Sequence, residues 1–227
     1  MSPFIGILSL DTCFPRIPGD AGNVESYHMP ARVRIVPGTG PHQIVRSGQP
    51  APQVVAAFRA AAEALVAEGA CLITSTCGFL ISAQREVARG LPVPVLLSGL
   101  SLLPVVRQMT GDAPVGVLTA SARALGHDAI RAAGADPEAV RIGGMDASHL
   151  FTATFLSPKD VQPRDFNRAA MEVEVVAAAR ALVARAPEVA ALVLECGNLP
   201  PYAEAIAHAT GRPVFTILDA ARLVSRR

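Results

Sequence analysis

Two of the four cysteines in this chain share a setting that thiol chemistry can use. Cys77 and Cys196 each end an apolar run, and each is followed by a glycine and then a helix-like segment. A thiol at such a strand-to-helix turn faces the backbone N–H groups of a helix N-terminus, which stabilise an anion. Its pKa, ordinarily about 8.5, is lowered there, so a thiolate is expected near neutral pH. The following glycines, Gly78 and Gly197, allow the backbone to approach a ligand closely. Cys71 lies inside an apolar run and reads as core, whereas Cys13 lies two residues past Asp11 and is a candidate to line the same cleft.

Two facing thiols suit inversion at an acidic carbon. One group removes a proton from one face and the other delivers a proton to the opposite face. A carbanion next to a carboxylate needs hydrogen-bond donors, and the N–H groups of Gly78, Phe79, Gly197 and Asn198 are candidates. The hydroxyls of Thr76, Thr119 and Ser121 are candidates to assist. Arg16 and Asn23, in the loop after the first strand, read either as recognition of a second carboxylate or as an ordinary solvated arginine and a turn asparagine. Glu195 reads as a buried, paired carboxylate or as a perturber of the neighbouring thiol. Of the histidines, only His28 lies in that loop, and no two have metal-ligand spacing. No phosphate-binding glycine motif is present, and Lys159 sits in a proline-flanked loop, so neither a nucleotide nor pyridoxal phosphate is expected. The expectation is therefore an enzyme without cofactor or metal.

These residues need a scaffold. Short runs rich in Val, Ile and Leu alternate with Ala-rich segments of helical period, the pattern of a parallel sheet covered by helices. Strands are expected at residues 4–10, 32–36, 70–75, 93–97, 115–119, 141–143, 190–195 and 214–218. Helices are expected at 52–68, 79–90, 100–110, 122–133, 164–185, 202–210 and 219–226. Residues 11–30 form a long loop at the carboxyl end of the first strand, where α/β proteins place binding groups.

The chain also repeats itself. Gly6-Ile7-Leu8-Ser9 returns as Gly116-Val117-Leu118-Thr119, and Ala64-Leu65-Val66-Ala67 returns as Ala181-Leu182-Val183-Ala184. Each copy then leads to a Cys-Gly pair and later to a Pro-Val strand. Two duplicated α/β lobes are expected, with residues 1–110 plus 212–227 in one and 111–211 in the other, and a ligand cleft between them. At 227 residues and 51% hydrophobic, the chain is long and apolar enough for a large core. A net charge of +1 gives no case for nucleic acid or a membrane surface. The opening residues lack the features of a signal peptide, so a cytoplasmic location is expected. A homodimer is the assembly that base rates favour.

The chain resembles the aspartate/glutamate/hydantoin racemase superfamily, whose members work without pyridoxal phosphate. The resemblance covers nearly the whole chain. It rests on Gly6 to Thr12, on Ser75-Thr76-Cys77-Gly78-Phe79, on Gly116 to Ser121, and on Leu194 to Pro201. It implies two Rossmann-like lobes related by a pseudo-twofold, with the active site between them. It also implies that Cys77 and Cys196 act as base and acid on opposite faces, that Asp11 assists one thiol, and that Thr119 and Ser121 help bind carboxylate. Amino-acid racemases of this type usually follow the first cysteine with Asn-Thr and often the second with Thr-His; here Gly78-Phe79 and Gly197-Asn198 stand instead. The function expected is a racemase or epimerase acting next to a carboxylate, on an acidic amino acid or a related small molecule. A maleate-type cis–trans isomerase and a silent small-molecule binder are the alternatives.

Overall fold

The computed structural model describes residues 2–225. Two sheets, each of four parallel strands, carry the fold. The first contains β1 (Phe4–Leu10), β2 (Ala31–Val36), β3 (Ala70–Ser75) and β4 (Val95–Leu96), in the order β2-β1-β3-β4. The second contains β5 (Val115–Thr119), β6 (Val140–Gly144), β7 (Ala191–Leu194) and β8 (Val214–Phe215), in the order β6-β5-β7-β8. The strand order is the same in both, as the repeated segments predict. All seven residues of β1 and all five of β5 are buried. A strand covered on both faces has no polar side to show, which is why these strands read as unbroken apolar runs.

Between the strands lie α1 (Pro41–Ile44), α2 (Pro52–Ala67), α3 (Gln84–Ala88), α4 (Leu103–Met109), α5 (His127–Ala132), α6 (His149–Phe151), α7 (Arg168–Arg185), α8 (Ala203–Thr210) and α9 (Ile217–Val224). Several are shorter than expected. Gly78–Ala83 and Gly99–Leu102 are 3₁₀ turns that precede α3 and α4. The segment expected to be helical from residue 122 becomes so only at His127, after Gly126 in extended conformation. Pro104 in the first turn of α4 has no N–H to lose there, so it fixes where that helix begins.

The strand expected at 214–218 stops at Phe215. Thr216 caps α9, accepting from the N–H of Leu218 and Asp219, while the Asp219 carboxylate reaches back to the Thr216 N–H at 2.8 Å. The return to the first lobe therefore falls after β8 and not at residue 212, because β8 pairs with β7. From there α9 packs on β3 and β4. Arg226, the expected end of that helix, lies outside the described residues. One continuous hydrophobic core runs through both lobes. A smaller cluster on the other face of the first sheet joins Ile5, Ile7, Tyr27, Met29 and Leu72 to Ala221 of α9.

The order of the strands decides where a site can form. From β1 the chain crosses to β2 on one side, and from β3 to β4 on the other, so a crevice opens between the carboxyl ends of β1 and β3. The second sheet has its crevice between β5 and β7 for the same reason. Cys77 follows β3 and Cys196 follows β7.

Candidate active site

The two crevices meet in one narrow cavity. Cys77 and Cys196 both line it, with Thr76, Phe79 and Asn198 beside them and Arg16 reaching in from the loop after β1. Phe14 and Phe155 complete an aromatic wall. Thr76 is anchored where β3 ends: its N–H donates to Leu8 at 3.0 Å, and its hydroxyl accepts from Leu10 N–H at 3.3 Å. Ser75 accepts from the Cys77 N–H at 3.3 Å and donates to Leu97 at 2.6 Å, which fixes the first turn.

The glycine after each cysteine has a different reason from the one expected. A Cβ on Gly78 would overlap the carbonyl oxygen of Glu195, and a Cβ on Gly197 would overlap that of Thr76. The two Cys-Gly turns are packed backbone against backbone. The glycines serve this mutual approach, and neither belongs to the cavity wall. A hydrogen bond from Ala21 N–H to the Gly197 carbonyl, 2.9 Å, adds the loop after β1 to the junction.

A chain of contacts orients the second thiol. Arg16 Nη1 meets Asp20 Oδ1 at 3.1 Å. Asp20 Oδ2 accepts from Asn198 Nδ2 at 2.8 Å, so that the amide oxygen Oδ1 faces Cys196 Sγ at 3.5 Å. Arg16 Nη2 also donates to Thr12 at 3.1 Å, and its guanidinium lies 4.5 Å from the centre of the Phe14 ring. Asp20, only 2% exposed, joins the Arg16 and Asn198 side chains and is a member of the candidate site that sequence reasoning missed. Its partner Asn198 is 178 positions away, and no local spacing signals it.

Burial pushes both thiols up, and the Glu195 carboxylate pushes them further. The N–H groups of Phe79 and Asn198 favour the thiolates but are outweighed. The lowered thiol pKa expected from the helix N-termini is thus reversed. Residues 78–83 form a buried 3₁₀ turn rather than an α-helix, and desolvation by burial is the larger effect. Burial likewise pushes the Glu195 carboxyl up to about 7, against hydrogen bonds from Thr119 and Ala120 that favour its charge.

Other expected residues lie away from the cavity wall. Asp11 forms an ion pair with Lys159 and accepts from Gly38 N–H at 3.2 Å; the Lys159 hydrogen bond holds its carboxyl below the usual range. Ser121 donates to Asp146 at 2.6 Å. Thr119 is turned to Glu195 at 2.7 Å. Asn23 donates to the Arg16 carbonyl at 2.9 Å and thereby supports the loop from behind. His28 contacts Ser225 at 3.2 Å. Cys13 approaches the Lys159 and Gln162 carbonyls rather than the cavity.

Those last contacts belong to a strap that crosses from the second lobe. Its α6 continues into a π-helical turn at Thr152–Leu156, and Phe155 and Leu156 line the cavity. Phe155 makes edge-to-face contacts with Phe14, Phe151 and Phe166, with centroids 4.9–5.4 Å apart. Gln162 accepts from Cys13 N–H at 3.0 Å.

No protein-family model matches the chain. A dimethylsulfoniopropionate lyase from Durusdinium sp. clade D is 31% identical over 225 residues, covering 96% of this chain and 72% of that relative. The chain belongs to the dimethylsulfoniopropionate lyase family. Dimethylsulfoniopropionate lyase 5 from Emiliania huxleyi is also 31% identical, across 98% of this chain but 44% of its own length. Among solved structures, allantoin racemase from Klebsiella pneumoniae superposes with a TM-score of 0.63 at 14% identity, over 98% of this chain and 86% of that one. Unliganded arylmalonate decarboxylase gives 0.51 at 17% identity, over 99% and 94%. The fold is therefore that of allantoin racemase and arylmalonate decarboxylase, in line with the fold the resemblance implied. The expected activity is corrected. The sequence relatives are named dimethylsulfoniopropionate lyases, which overturns the reading as an isomerase, whether racemase or maleate type.

Proposed function

We propose that this protein is a lyase that removes a proton next to a carboxylate and expels a sulfide from the neighbouring carbon, with dimethylsulfoniopropionate or a close sulfonium carboxylate as substrate. The observation that carries the reading is the pairing of two thiols with Arg16 and aromatic rings in one cavity, in a chain 31% identical to a dimethylsulfoniopropionate lyase.

The chemistry fits racemase-type machinery with one step changed. One thiolate takes the proton from the carbon that bears the carboxylate. The electron pair forms the C=C bond, the C–S bond breaks, and its pair leaves on dimethyl sulfide, giving acrylate. A neutral sulfide needs no proton to depart, so elimination requires a single base. The other thiol is then free to donate a hydrogen bond to the developing enediolate. Arg16 offers a planar fork to the carboxylate, and Asp20, Thr12 and the Phe14 ring hold that fork in place. The rings of Phe14, Phe79 and Phe155 offer the sulfonium methyls an apolar, electron-rich surface.

The test is to incubate the protein with dimethylsulfoniopropionate, measuring dimethyl sulfide in the headspace and acrylate by proton NMR. Release is expected from the wild type and loss of at least about 100-fold in Cys77→Ala or Cys196→Ala. Intact substrate after prolonged incubation with folded protein would overturn the reading.

A further inference from the structure

Glu195 has no place in the scheme above, yet it lines the cavity. It is 2% exposed, it precedes Cys196, and its carbonyl and Oε1 lie against Gly78, which follows Cys77. It thus stands where the two Cys-Gly turns meet. Its Oε2 is committed, accepting from the Thr119 hydroxyl at 2.7 Å and the Ala120 N–H at 3.4 Å. Its Oε1 has no partner among the described residues. A buried carboxyl oxygen without a donor is costly, and a glutamine would support Thr119 equally well, so a purely structural role leaves this oxygen unexplained.

The reaction itself leaves a gap of matching shape. Each turnover converts a zwitterion into a neutral sulfide and an anion, and so releases one proton. That proton arrives on a buried thiol. The base must be freed of it before the next cycle.

We propose that Glu195 Oε1 takes the proton from the thiol that serves as base and passes it to solvent, so that the thiolate is regenerated within the site. The inference rests on the elimination reading and deepens it. In the first step the S–H bond breaks, its proton moves to Oε1, and the thiolate keeps the electron pair. The thiolate then takes the substrate's proton as the C–S bond opens. Glu195, now a carboxylic acid, gives up its proton when the products leave. One proton enters from substrate and one departs, so the balance closes. The groups facing this exchange are Cys77, Cys196, Arg16 and Asp20, and only Arg16 is cationic. The positive sulfonium of a bound substrate supplies the missing charge and favours the thiolate only while substrate is present. A carboxyl raised by burial to about 7 is suited to take and release protons at neutral pH.

The experiment compares wild type with Glu195→Gln, which keeps the shape and a partner for Thr119. The wild-type pH profile is expected to carry an acidic limb near 7; in the variant, kcat is expected to fall at least about 100-fold with KM little changed, and that limb to be lost. A glutamine variant that keeps its kcat within about threefold, with the same acidic limb, would overturn the proposal. A second arm needs no substrate: infrared difference spectra between pH 6 and pH 8 should show a carboxyl C=O band in the wild type that is absent in Glu195→Gln. A wild-type spectrum without that band also overturns the proposal. Failure of the lyase reading is told apart by absence of dimethyl sulfide from the wild type, which leaves the infrared result unaffected.

Discussion

Arg16 is held by three neighbours at once: Asp20, Thr12 and the face of Phe14. That arrangement uses the planarity of a guanidinium as well as its charge. Arg16→Lys keeps the charge but loses the fork, so KM for dimethylsulfoniopropionate should rise about tenfold while kcat moves less; steady-state kinetics decides it. Equal kinetics in the two proteins would mean that the guanidinium does not bind the carboxylate. Legibility differs among the site residues for a physical reason. Cys77 and Cys196 stand out because a strand end followed by Cys-Gly is a local pattern. Thr76, Phe79 and Asn198 follow from them as sequence neighbours. Asp20 does not, because its partner Asn198 comes from another element; Glu195 reads as buried and paired or as a perturber of the thiol, and it is both, but its partners Thr119 and Gly78 come from other elements. Asp11, Ser121 and Thr119 stand at the right strand ends, but each is turned to another side chain.

The strap that roofs the cavity is held by two unequal means. Its Lys159–Asp11 ion pair is partly exposed, with side chains 52% and 21% accessible, and such pairs contribute about 0–1 kcal/mol. The three edge-to-face contacts of Phe155 contribute about 0.5–1.5 kcal/mol each beyond the burial of the ring. The rings should therefore dominate. Lys159→Ala should lower stability by less than about 1 kcal/mol and Phe155→Ala by about 3–5 kcal/mol, as measured by urea unfolding. Only the second should make the cysteines react faster with iodoacetamide at fixed pH. The strap itself was not legible. Residues 149–156 lack a helical stripe long enough to register, and their π-turn carries Phe155 into contact with Phe14 of the other lobe. The main strands were legible to within a residue or two, since burial on both faces leaves an apolar run. The short helices were not, because capping at Gly126 and Pro104 overrides periodicity.

Across the whole molecule, the buried Glu195 ties stability to pH. Its folded pKa of about 7 lies above the ordinary 4.5, so between these values the folded chain holds a proton that the unfolded chain has lost. Stability is therefore fullest below about 4.5, falls as pH rises to about 7, and levels off beyond. Asp11, with its pKa lowered, acts in the opposite sense and only in acid, where its contribution is lost as pH falls below the ordinary carboxylate range. Unfolding free energies from urea titrations between pH 5 and pH 8 should decline in the wild type, by on the order of 3 kcal/mol in all, and decline less in Glu195→Gln. An identical slope in both would show that some other group carries it. The path of α9 has a consequence for how the molecule is made. Ile5, Ile7 and Leu72 are sealed by Ala221, a residue synthesised some 150 to 216 positions later. While a ribosome adds about 5–20 residues each second, the first sheet waits on the order of 10 s with only Tyr27 and Met29 over that oily face. The second lobe, whose strands are consecutive in the chain, can close during that interval. The half of the protein made first is thus the half finished last, and in a cell it is the half that most needs a chaperone's cover.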